Sequence, residues 1–120
     1  MDYAFVDGWA RLPDGWRLGD VGGVAVGPRD EVYVFHRGEH PLLVFSRDGE
    51  LIDAWGDGVF TKPHGLAMER DGCLYCTDDG DHTVRKFDTR GTLLLEIGIP
   101  NQPSGFLSNE PFNRCTHTAL

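Results

Sequence analysis

Two stretches decide the fold. Gly23-Val24-Ala25-Val26-Gly27-Pro28-Arg29-Asp30-Glu31-Val32-Tyr33 and Gly65-Leu66-Ala67-Met68-Glu69-Arg70-Asp71-Gly72-Cys73-Leu74-Tyr75 are one unit written twice. The offset from Gly23 to Gly65 is 42 residues, and it holds without a gap to the end of the unit. Phe45 falls on Phe87, Gly49 on Gly91, Leu51 on Leu93 and Gly56 on Gly98. Elsewhere the hydrophobic character carries over, as with Val32 on Leu74 and Trp55 on Ile97. A gapless period in the forties is the mark of a repeat architecture, and in a β-rich unit it points to propeller blades.

Each copy divides into four short runs rich in Val, Leu, Tyr, Phe and Thr. The first copy predicts strands over Gly23–Val26, Glu31–Phe35, Leu42–Ser46 and Glu50–Trp55. The second predicts them over Gly65–Glu69, Cys73–Thr77, Thr83–Asp88 and Thr92–Ile97. Breaks such as Arg47-Asp48-Gly49 and Thr89-Arg90-Gly91 end in glycine, which supplies a positive φ at little steric cost. No apolar stripe recurs at helical spacing. Four strands per repeat make a propeller blade, so the fold class is all-β.

The predicted organisation is a lead-in over 1–19, blade one over 20–56 and blade two over 57–98. A loop and the first strand of a third blade fill 99–120. That last assignment rests on Pro111–Leu120, which resembles Phe60–Met68 at a longer offset, with the extra length falling in the loop Ile99–Glu110. A ring needs typically 4–8 blades. Two blades and part of a third are therefore expected to be the N-terminal piece of a larger ring. Such a piece would have open strand edges and a tendency to self-associate.

A formal charge of −8 argues against a nucleic-acid surface and against anionic membranes. No apolar run is long enough to span a bilayer, and Met1-Asp2-Tyr3-Ala4 does not open a signal peptide. Cys73, Cys76 and Cys115 form no disulfide framework, which fits a reducing, cytoplasmic setting. Cys73 and Cys76 both fall in a predicted strand and are expected to pack rather than bind zinc. Asp78, Asp79 and Asp81 lack the calcium-loop pattern and read as a solvated turn whose side chains bond the backbone.

The run Phe35-His36-Arg37-Gly38-Glu39-His40 is the candidate site in blade one. An arginine fork suits a carboxylate, although the plain reading pairs Arg37 with Glu39 or a nearby Asp. His64 opens the innermost strand of blade two, near the channel mouth, where propellers place ligands. His36 and His40 read as structural, and His117 is a candidate channel residue of blade three, although a lone histidine is more often structural.

These motifs carry a resemblance. Gly22-Gly23-Val24-Ala25-Val26, the Phe35–His40 run, Pro63-His64-Gly65-Leu66, Thr77-Asp78, His82-Thr83-Val84 and Phe112–His117 occur in the order of the peptidyl-α-hydroxyglycine α-amidating lyase family. The chain looks closest to the family's bacterial NHL-repeat members. The resemblance implies a six-bladed propeller, a zinc held by histidines of three blades and a structural calcium held partly by backbone carbonyls. It implies cleavage of a peptidyl α-hydroxyglycine to a peptide amide and glyoxylate. By motif, Arg37 resembles the active-site arginine and His64 the first zinc histidine. Val24 and Leu66 resemble residues whose carbonyls bind calcium. The family's tyrosine and its other zinc histidines lie on later blades, so these 120 residues alone are expected to be inactive. The partner of a complete ring would be a small peptide-like substrate. The alternative is an NHL-repeat scaffold for protein partners, without catalysis.

Overall fold

The computed structural model describes residues 1–105 and 107–120. Eight strands form two four-stranded antiparallel sheets. The first is β1 (Val21–Val26), β2 (Val32–His36), β3 (Leu42–Phe45) and β4 (Leu51–Trp55), hydrogen-bonded in that order. The second is β5 (Pro63–Met68), β6 (Leu74–Asp78), β7 (Thr83–Phe87) and β8 (Leu93–Ile97), again in sequence order. Each sheet is a meander of four strands, the form of a propeller blade. No helix occurs among the described residues.

The 42-residue offset survives in the ladders and the turns. Val21 pairs with His36 and Pro63 with Asp78, each beside a bulge. His40 and His82 both adopt a left-handed backbone, at φ 54° and 68°. Every strand predicted within the two copies is present, with its ends moved by at most two residues, whereas the strand predicted to open a third blade is not formed among the described residues. One consequence is a correction: Cys73 lies just before β6 rather than within it, and only Cys76 is a strand residue.

The two sheets pack face to face. Tyr33, Phe35, Leu42 and Val44 of the first meet Leu66, Leu74, Cys76 and Phe87 of the second. Phe60, in the loop between the sheets, wedges between Phe35 and Phe87, with ring centroids 4.7 and 5.8 Å away. The opposite face of the first sheet, Val34, Leu43 and Phe45, is covered by Trp9, Ala10, Leu12 and Trp16. The lead-in thus stands where a preceding blade's face would stand.

The innermost strands β1 and β5 approach so closely that side chains are excluded. A Cβ on Gly22 would lie 2.6 Å from the His64 carbonyl oxygen, and one on Gly23 would lie 2.7 Å from the Leu66 nitrogen. Glycine is the residue that permits such a backbone approach. The pattern recurs on the far side of β5, where a Cβ on Gly65 would lie 2.5 Å from the Thr116 carbonyl oxygen. Residues 115–118 therefore run along β5. Thr118 Oγ1 lies 3.0 Å from Thr77 Oγ1, but the segment forms no strand within this chain. Gly56 sits against the ring of Phe60, and Gly98 against that of Phe112. The environment around 112 thus repeats the environment around 60.

Candidate functional site

The candidate residues Arg37 and His64 lie where β2 runs out and β5 begins. Strand β2 ends in His36, which is wholly buried. Its Nδ1 accepts hydrogen bonds from Gly19 N–H (3.0 Å) and Gly38 N–H (3.1 Å). With Nδ1 accepting, Nε2 carries the proton and donates to the His40 carbonyl at 2.9 Å. Burial pushes the His36 pKa below its ordinary 6.5, as befits a neutral ring. His36 is therefore a fully satisfied structural histidine, as its sequence context suggests.

Arg37 follows at once and is exposed. Its backbone N–H donates to Asp20 O and its Nε–H to Pro63 O, both at 2.9 Å. The plain pairing with Glu39 or a neighbouring Asp is not what the structure contains. The Pro63 contact leaves both terminal nitrogens of Arg37 outside any hydrogen bond among the described residues, and it brings the side chain to the residue before His64. His64 is half-buried on β5, and its ring enters no hydrogen bond among those residues. Arg37 thus reaches the backbone of the residue that precedes His64. His117 lies across β5, its Nδ1 3.2 Å from where a Gly65 Cβ would be.

Val24 and Leu66 occupy equivalent places on β1 and β5. Val24 is 56% exposed and Leu66 is buried. His40 stacks on Trp16 at 3.9 Å and donates from Nδ1 to Asp57 Oδ1 at 2.8 Å, tying the lead-in to the loop that enters the second sheet. A half-open cavity of about 300 Å³ lies beside this stack, lined by Trp16, Arg17, Gly19, Gly38, His40 and Leu43. Neither Arg37 nor His64 lines it, so it is a side cavity of the lead-in.

The second sheet corrects one expectation. Asp78, Asp79 and Asp81 are buried, not solvated. Asp78 does bond the backbone as expected: its carboxylate accepts from Thr61, Lys62, Gly80 and Asp81 N–H at 2.7–3.1 Å. Asp79 meets Arg114 at 3.0 Å and Lys62 at 2.8 Å, and these two cations hold its carboxyl well below the ordinary carboxylate range. Asp81 pairs with buried Arg85 at 2.6 Å, and Arg85 reaches Glu96 at 2.7 Å and lies over Phe60. Arg85 stands where the first sheet has Leu43, so its charge was no signal of burial in the sequence.

Glu69, Asp71 and Cys73 come within metal-ligating distance of one another in the β5–β6 turn. Glu69 is bound by Lys86 at 2.7 Å, and Asp71 accepts the Cys73 N–H at 2.9 Å. This is the ordinary chemistry of an Asx turn. All three cysteines are free.

With this geometry in place, the chain can be set beside known proteins. No family model matches it. A probable peptidyl-α-hydroxyglycine α-amidating lyase of Caenorhabditis elegans is 29% identical over 61% of this chain. Peptidyl-glycine α-amidating monooxygenase B of Xenopus laevis is 28% identical over 72% of it. NHL repeat-containing protein 3 of Homo sapiens is 31% identical over 88% of it. The chain is a relative of the amidating lyases and the NHL repeat-containing proteins. It spans 27%, 13% and 33% of the lengths of those three relatives. The two sheets described above are blades of this amidating-lyase and NHL-repeat relative.

Proposed function

We propose that this chain is the N-terminal part of a six-bladed, zinc-dependent lyase-like propeller that cleaves a peptidyl α-hydroxyglycine to a peptide amide and glyoxylate. The observation that supports the reading is the Arg37–Pro63 hydrogen bond, which ties the Arg37 side chain to the backbone next to His64 while its terminal nitrogens enter no hydrogen bond among the described residues. In the reaction the C–N bond of the carbinolamide breaks. The hydroxyl oxygen gives up its proton and becomes the carbonyl of glyoxylate, and the amide nitrogen takes up a proton. Arg37 holds the carboxylate that leaves as glyoxylate, through paired N–H donors at fixed geometry.

His64 suits one zinc position, because its ring nitrogens enter no hydrogen bond among the described residues. A catalytic zinc takes three protein ligands, and the described residues gather no such histidine group. The other ligands would come from later blades. Zinc, when bound, would polarise the substrate oxygens as a Lewis acid. Val24 and Leu66, at equivalent positions of β1 and β5, would offer carbonyls to a structural calcium.

The test uses an N-acyl-α-hydroxyglycine and an assay for glyoxylate. The 120-residue chain should release none with zinc present, and turnover by it would overturn the expected inactivity. A chain extended by the further blades of its own reading frame should release glyoxylate, and should lose that activity with Arg37→Ala or His64→Ala. An extended chain that folds, retains no zinc and releases no glyoxylate is instead an NHL-repeat scaffold for protein partners.

A further inference from the structure

We infer that His36 is the positioning residue for Arg37, and so for the carboxylate end of a bound substrate. The inference rests on the reading of Arg37 given above. Arg37 is exposed and mobile in principle, since a long side chain on a turn loses considerable rotamer entropy when held. The backbone around it is nonetheless fixed from one point. The His36 ring lies across the 37–40 turn: Nδ1 takes Gly38 N–H and Nε2–H reaches His40 O. The same Nδ1 takes Gly19 N–H, which draws the lead-in against the turn. Next to Gly19, Asp20 O accepts the Arg37 N–H. Arg37 is therefore held at its own nitrogen by a segment that His36 anchors, and at the residue after it by His36 directly.

The fit leaves no slack. A Cβ on Gly38 would lie 2.8 Å from His36 Cε1 and 2.9 Å from Nδ1, and one on Gly19 would lie 2.8 Å from Gly38 N. Two glycines and one neutral imidazole define where the Arg37 side chain starts. From there its Nε–H donates to Pro63 O, and its two terminal nitrogens enter no hydrogen bond among the described residues. Remove the acceptor at 36, and both glycine N–H groups lose their partner. The turn then has no reason to keep Arg37 in register with Pro63.

The test uses the ¹⁵N-labelled 120-residue chain. The Arg37 Nε–H signal, identified by its loss in Arg37→Lys, reports the bond to Pro63. Sodium glyoxylate is the carboxylate probe. His36→Leu should move the Nε–H signal to the position of a free arginine and weaken glyoxylate about tenfold, the worth of one charge-assisted hydrogen bond. His36→Asn places an oxygen acceptor near the Nδ1 position and should restore both readouts to within about threefold. Gly38→Ala leaves the imidazole chemistry intact but displaces the ring, and should behave like His36→Leu; it also serves if His36→Leu does not fold. An Nε–H signal unchanged in a folded His36→Leu or Gly38→Ala chain overturns the inference. So does a folded His36→Asn chain that restores neither readout. Glyoxylate that fails to bind the unaltered chain counts against the lyase reading alone, because the Nε–H signal still decides the role of His36.

Discussion

His36 and Asp78 stand at equivalent places and fasten the same two points of their sheets. His36 Nδ1 takes the N–H groups of Gly19 and Gly38; the Asp78 carboxylate takes those of Thr61 and Gly80, each 42 residues further on. One residue thus ties the segment entering each sheet to the turn after its second strand. The repeat keeps the task while changing the chemistry from imidazole to carboxylate. The histidines at 40 and 82 add a second tie. His40 grips Asp57, and His82 Nδ1 accepts the Arg114 N–H at 2.9 Å.

Asp78→Ala should be the most damaging single change of a polar residue. It strands four N–H donors and removes a carboxylate 4.0 Å from the buried Arg85 Nη1, which has no hydrogen bond among the described residues. Each buried unsatisfied group costs about 1–3 kcal/mol, so the loss should exceed about 3 kcal/mol and abolish cooperative folding. Asp78→Asn keeps an acceptor oxygen and should lose less. Urea unfolding followed by circular dichroism measures both; equal, small losses would contradict the clamp.

Stability should fall in two separate pH windows. Burial keeps the His36 pKa below 6.5, while the unfolded chain takes up its proton near that value. The unfolded state then binds more protons, so the His36 contribution is complete above 6.5 and shrinks as pH falls from 6.5 towards the lower native value. Arg114, then Lys62, hold Asp79 below the ordinary 3.8, so its contribution is complete above 3.8 and is lost as pH falls further. Urea midpoints at about pH 7.5, 5.5 and 3 should therefore decline twice. Trp9 and Trp16, on the lead-in that His36 ties down, report the first decline by fluorescence. His36→Asn should flatten it, and a slope unchanged in that variant would assign the decline to another group.

Gly22→Ala should separate the innermost strands. The added methyl would meet His64 O at 2.6 Å and His64 Cα at 2.9 Å, and both are backbone atoms that no rotamer change can move aside. Overpacking of this kind costs about 1–3 kcal/mol. The variant should also shift the imidazole signals of His64. A melt and a spectrum identical to the parent would mean that β1 and β5 stand further apart than described.

The blades were legible because period and turn chemistry are both local. Gly49 and Gly91, or Gly56 and Gly98, stand at one offset, and each pair has positive φ. At Arg37 and His64 the sequence offers motif identity alone, and the structure adds the contact of Arg37 with the Pro63 carbonyl. The clamp was hidden because a repeat scan counts His36 against Asp78 as a mismatch. The burial of Asp78, Asp79 and Asp81 was hidden because three carboxylates in four residues look solvated until their partners are known. Those partners, Thr61, Arg85 and Arg114, are distant in sequence or stand at positions where the first sheet has apolar or small residues. The pattern extends the strand to Cys73 because Cys, Leu and Tyr all suit one, whereas the Asx turn at Asp71 takes up the Cys73 N–H and ends one residue later.

Arg37 should separate stability from binding. Its side chain is exposed and contributes one hydrogen bond, to Pro63 O. Arg37→Ala should therefore change the unfolding free energy by less than about 1.5 kcal/mol. Glyoxylate binding should weaken about tenfold or more, because the paired donors are gone. Arg37→Lys is the sharper comparison. It keeps the positive charge and loses both the fork and the Nε bond that aims it, so a site that depends on aim should treat lysine almost as alanine. Titration of the three chains with glyoxylate, beside their urea melts, reads both effects. Lysine binding as tightly as arginine would mean that charge alone serves the carboxylate, and the Pro63 contact would then be a packing detail rather than the feature that sets the site.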